Sequence, residues 1–182
     1  MKRFNTSLLL LITMAATGFS HDTRKDTTVT RDDFRDFCAT RVGWWTGEVA
    51  SVIGETSVVG KQDKTLTYYF KCSLSEDGNA MSGTGVGPKY SDRSLCYFDA
   101  AAKKIRITSV SSNGVVNQQT IHRDGKDWIR HTLQTSSDGT SREFHSVITM
   151  SNKGKTTTIV IHVKNKDGKV SKQTNVWHRV GK

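Results

Sequence analysis

One proline in 182 residues leaves no room for a proline-rich linker or a collagen-like repeat. Three cysteines are too few for a disulfide-scaffolded domain. Their spacing, Cys38, Cys72 and Cys96, matches neither a zinc ribbon nor a Cys-x-x-Cys redox pair. Only four glutamates occur, Glu48, Glu55, Glu76 and Glu143, so general acid–base candidates are scarce. There is no Gly-x-Ser-x-Gly elbow, no HExxH, no P-loop and no dinucleotide-binding fingerprint. No unit of 20 to 50 residues repeats, which argues against a solenoid or propeller. Past residue 20 no apolar run is long enough to cross a bilayer, so an integral membrane protein is not expected.

Residues 1–20 have the layout of a secretory signal peptide. Lys2 and Arg3 are followed by an apolar stretch running from Leu8 to Phe19, and Gly18-Phe19-Ser20 forms a small-x-small pattern before His21. Export to the periplasm or outside the cell is the expectation. Residues 21–30 are polar and read as a flexible leader, and residues 31–182 read as one domain. Loss of Lys2 and Arg3 takes the formal charge from +10 to +8, so the exported chain stays basic. An oxidising compartment permits a disulfide, and Cys72 with Cys96, in neighbouring strand-like segments, is the favoured pair. The third thiol is then free or paired elsewhere.

Thr30 precedes an amphipathic stretch in which Phe34, Phe37 and Cys38 repeat at helical spacing. Thr30 suits an N-cap, and Asp32 and Asp33 suit the positive end of a helix dipole, so one short helix is predicted. After Gly43 the period changes to two, in a chain rich in Thr, Val, Ile and Tyr. Leu66, Tyr68, Phe70, Cys72 and Leu74 share one strand face; Ile129, His131 and Leu133 share another. Asp77-Gly78, Asn113-Gly114, Asp124-Gly125, Asp138-Gly139 and Asp167-Gly168 are hairpin signals, with Asn152-Lys153-Gly154 as a longer one. They predict strands over 45–53, 65–75, 79–86, 92–98, 104–111, 115–122, 127–135, 141–150, 156–164 and 170–180. An all-β fold follows: a single up-and-down antiparallel β-barrel of about ten strands behind a short N-terminal helix, closed because a flat meander would expose two long edges.

The first strand reads Val42-Gly43-Trp44-Trp45-Thr46-Gly47-Glu48, and the last reads Val176-Trp177-His178-Arg179. Gly-x-Trp resembles the opening of lipocalins, and Gly-x-Trp-x-Gly-Glu resembles nitrobindin-type haem barrels. The chain as a whole resembles a calycin-like barrel of the kind found in exported bacterial proteins. It lacks the Thr-Asp-Tyr motif of lipocalins, and ten strands bring it closer to fatty-acid-binding proteins. The resemblance implies that Arg179 packs across Trp45 to close the barrel. It also implies a small-molecule binding function, with haem as an alternative cofactor and the late His178 as one candidate iron ligand.

If alternation holds, Tyr68, Phe70, Ile107 and Phe144 point into the barrel together with Ile129, His131 and Leu133. This lining suits a small apolar or amphipathic ligand, or a filled core with no cavity. His131 is the inward titratable group, able to anchor a ligand, meet haem iron, or simply hydrogen-bond inside the wall. His178 is out of phase with Trp177 and Arg179 and is therefore expected to face outward. His122, His145 and His162 do not cluster in the sequence. Lys103-Lys104-x-Arg106 and the lysines at 164, 166, 169 and 172 read either as solubilising surface or as a contact for an anionic surface. Nucleic acid is not an expected partner, since no stacking motif accompanies the charge. No catalytic residue and no metal-ligand set is assigned, so the sequence favours binding without catalysis.

Overall fold

The computed structural model describes residues 27–50, 65–164 and 168–181. The proposed signal peptide, most of the leader and residues 51–53 of the first predicted strand lie outside them. The chain forms α1 (Arg31–Arg41) and then ten strands: β1 (Gly43–Ala50), β2 (Thr65–Leu74), β3 (Ala80–Val86), β4 (Ser91–Asp99), β5 (Lys104–Ser111), β6 (Val116–Asp124), β7 (Asp127–Thr135), β8 (Ser141–Ser151), β9 (Thr156–Lys164) and β10 (Val170–Val180). Each strand pairs antiparallel with the next, and β10 returns to pair with β1, giving a closed barrel with Trp45 opposite Arg179. Closure leaves no free edge.

Local chemistry sets the boundaries. The Thr30 hydroxyl accepts from the Asp33 N–H at 3.1 Å, and the Asp33 carboxylate accepts from the Thr30 N–H at 2.8 Å, a reciprocal cap that starts α1. The six turn glycines, Gly78, Gly114, Gly125, Gly139, Gly154 and Gly168, all have positive φ, which is why Asx-Gly marked the hairpins. Between Ser151 and Thr156 the connection is a tight 3-10 turn, Asn152–Gly154.

α1 plugs one end. Phe34, Phe37 and Cys38 are buried, and the Phe37 ring meets Trp128 edge-on at 5.3 Å. Polar ties surround the plug: Arg31 to Asn79 at 2.6 Å and Arg123 to Asp36 at 3.2 Å. At the opposite end lie the connections around Tyr90, Ser112 and Ser137 and the rows from Asn117 to Gln134. The interior between plug and mouth is where a ligand can sit. Among the described residues no helix is long and apolar enough to cross a membrane.

Candidate functional site

The opening motif builds the floor. Trp45 is 1% exposed, and its indole N–H donates to the Arg41 carbonyl at 2.8 Å. The Arg179 guanidinium lies 4.4 Å from the Trp45 ring centroid, a cation–π contact. It also donates to the carbonyls of Val42, Thr40 (3.0 Å) and Gly154 (3.2 Å), tying the last strand to the helix end and to the 3-10 turn. The two glycines are steric requirements. A Cβ on Gly43, whose φ is +121°, would meet Arg179 Nη1 at 2.7 Å, and one on Gly47 would meet the Trp177 ring at 2.8 Å. Trp44, by contrast, faces outward under the Lys71 ammonium at 4.9 Å.

Above this floor is a cavity of about 210 Å³. Tyr68, Phe70, Ile107 and Phe144 line it, joined by Ile148, Ile159 and Trp177. A cavity of about 150 Å³ already holds a benzene-sized guest, whereas drug-sized sites begin near 300 Å³. The interior is therefore neither packed solid nor roomy enough for a large ligand.

The wall is less apolar than the sequence led us to expect. Arg41 from α1 and Arg130 from β7 both reach the cavity. Arg41 Nη1 and Arg130 Nε are buried without a hydrogen-bond partner among the described residues, while Arg130 Nη2 donates to Ser146 Oγ at 3.2 Å. Burial pushes Arg130 down to about 10, and the neighbouring Arg41 charge adds to it; burial also lowers Arg41. Nearer the mouth, the Tyr68 hydroxyl donates to the Asp92 carboxylate. Burial raises Asp92 and Tyr68, and takes Tyr90 up to about 12. Gln134 bridges Asn117 at 2.9 Å and Arg142 at 2.7 Å, a polar rim close to the mouth. The site thus has a cationic floor, an aromatic and aliphatic wall and a carboxylate engaged by tyrosine.

Three of the expected lining residues are on the other side of the sheet. β7 points Trp128, Arg130, Thr132 and Gln134 inward, so Ile129, His131 and Leu133 face outward, and His131 is exposed. The reversal has a physical cause: the inward face of this strand carries the polar part of the cavity, and hydrophobic alternation assigns faces correctly only when the interior is the apolar side. Arg130 could have been found from its register, since it pairs with Ile121, a plainly buried position. Arg41, at the end of the amphipathic helix, gave no comparable signal.

Histidine ligation of haem does not fit this interior. No histidine is among the described residues that line the cavity, and His178 is exposed on β10. The favoured cysteine pair is also corrected. β3 lies between Cys72 on β2 and Cys96 on β4, and all three cysteines are free and buried. The thiol contact runs instead between Cys96 and Cys38, holding Cys96 above an ordinary thiol, and burial takes Cys72 up to about 11. Scanned against models of known protein families the chain matches none, and a search of curated proteins finds no match.

Proposed function

We propose that this chain is an exported, calycin-like binding barrel, secreted or periplasmic, that holds one small amphipathic anion without chemistry. The observation that carries the reading is the pair of guanidiniums, Arg41 and Arg130, which line the cavity, each with one buried N–H that has no partner among the described residues. A buried cation without a counter-charge is costly, and a carboxylate entering from the mouth relieves that cost and satisfies the orphan donors. The ring and aliphatic wall of Phe70, Ile107 and Phe144 then covers the apolar body of the guest. The volume supports an aromatic or short-chain acid over a long lipid. Asp92 does not oppose this arrangement, because it sits on the mouth side and accepts from Tyr68.

Calorimetric titration with matched pairs, an aromatic or short-chain carboxylic acid against its primary amide, tests the proposal. The acid should bind at least about tenfold tighter, the range expected for charge-assisted hydrogen bonds. Arg130→Met should reduce that preference, with Arg41 left in place, while leaving the fold at least as stable, since it removes a partly buried charge that has no counter-ion. Equal affinity for acid and amide, or an unchanged preference in the variant, would defeat it.

A further inference from the structure

The six histidines are scattered in the sequence, yet the fold gathers four of them along one stretch of the barrel wall: His131, His145 and His162 reach the surface, and His122 is buried beside His131. His122, His131, His145 and His162 come from four consecutive strands, β6 to β9. Register pairs Thr120 with His131, His131 with His145, His145 with His162, and His162 with Lys172 of β10. At ordinary strand spacing this row is roughly 20 Å long. The His145 and His162 rings stack 4.6 Å apart at 6°, His122 stacks on His131 at 5.6 Å, and His131 stands 6.4 Å from His145. A cleft of about 500 Å³ runs beside the row. Among the described residues no three His, Cys, Asp or Glu side chains are placed to hold a metal ion, so the row is not a metal cage.

We infer that this histidine row is a proton-dependent binding face for a flexible linear polyanion. The argument rests on charge and shape. One end of the row carries a permanent cation, Lys172 on β10. Lys164 lines the cleft, and Glu143 is its one carboxylate among the lining residues. Of the remaining charges nearby, Lys104 is bonded to the Thr27 carbonyl at 2.7 Å and Arg106 is ion-paired to Asp99 at 2.7 Å. Asp124 and Asp127, opposite one another, lie at the turn end beyond His122. Protonating one imidazole makes the next proton harder to add, because neighbours stand about 5 to 6 Å apart. A bound chain of negative charges removes that repulsion, so protons and polyanion bind together. Burial, then the nearby His145 charge, holds both His131 and His162 below an ordinary histidine, which keeps the face weakly charged near neutrality. Shape selects the partner class. The row crosses five of ten strands of a closed barrel, so it wraps about half the circumference. A flexible chain can follow that curve, and a flat bilayer cannot touch both ends of it.

The test uses the purified full-length chain and long-chain inorganic polyphosphate at constant ionic strength, with orthophosphate and phosphatidylglycerol vesicles as comparisons. Polyphosphate should bind about tenfold or more tightly at pH 5.5 than at pH 7.5. A triple variant, His131→Gln, His145→Gln and His162→Gln, should keep the affinity seen at pH 7.5 and lose the acid gain, with an unchanged circular dichroism spectrum. As a second measurement that does not rely on the variant, NMR titration of the wild-type imidazoles should show His131 and His162 moving to higher pKa when polyphosphate is bound. Equal affinity at both pH values, an acid gain retained by a folded triple variant, unmoved imidazole titrations, or orthophosphate or vesicles competing equally well would each overturn the inference. The readout is separate from the cavity, since polyphosphate is far too large to enter 210 Å³ and Arg130→Met should leave its binding unchanged.

Discussion

Gly43 and Gly47 are each dictated by a side chain more than a hundred residues away. Gly43 carries a φ that other residues resist and gives up the space that Arg179 occupies; Gly47 has ordinary strand geometry and only gives up space, to Trp177. This separates two kinds of glycine requirement within one five-residue motif. Gly47→Ala forces the Trp177 ring away from β1, with the Val176 carbonyl 2.7 Å from the new methyl. Overpacking of this kind costs about 1–3 kcal/mol. Trp177 also lines the cavity and meets Tyr68 and Phe70 edge-on, so its displacement should change ligand affinity along with stability. Urea denaturation of Gly47→Ala, followed by acid titration of the folded variant, measures both effects. A variant as stable as wild type with unchanged affinity would show that the ring moves freely.

At the scale of the element, α1 is attached by its packed face more than by its cap. Phe34 and Phe37 are at most 2% exposed, whereas the Thr30–Asp33 cap is an exposed pair of hydrogen bonds. Phe37→Ala should cost about 3–5 kcal/mol. Thr30→Ala should cost about 1 kcal/mol. Because Phe37 also lines the cavity floor, its removal should enlarge the space and admit bulkier acids, while the cap variant binds like wild type. Chemical denaturation of the two variants and a guest-size series measure the contrast. The strands were legible for the same local reason that α1 was: capping and Asx-Gly turns are written within three or four residues. The face of β7 was not. Its outward Ile129 and Leu133 are more apolar than its inward Arg130, Thr132 and Gln134, so the correct assignment depends on the neighbours β6 and β8 rather than on the strand itself. The outer histidine row escaped sequence reading altogether, because its members are 9 to 17 residues apart and only register aligns them.

For the molecule as a whole, the arginines inside and the histidines outside bear on stability over different pH ranges, and only the histidines act near neutrality. His131 and His162 have folded-state pKa values below the ordinary histidine value. Above about pH 6.5 they are neutral in both folded and unfolded chains and contribute nothing to the pH dependence. As pH falls through 6.5 the unfolded chain takes up protons that the folded chain resists, so stability declines. The decline stops once pH passes the folded-state values, where both states are protonated. Arg130, pushed down to about 10, has the same sign in another window: its effect changes only as pH rises past 10, where losing the buried charge favours the fold. Thermal unfolding followed by tryptophan fluorescence should therefore give a lower Tm at pH 5.5 than at pH 7.5. In the variant His131→Gln with His162→Gln that loss should shrink, and polyphosphate should raise the wild-type Tm at pH 5.5 more than at pH 7.5. Titration of carboxylates such as Asp92 is common to both proteins, so the difference between them isolates the imidazoles. A double variant as acid-sensitive as wild type would place the acid response in the carboxylates and leave the histidine row without a part in stability.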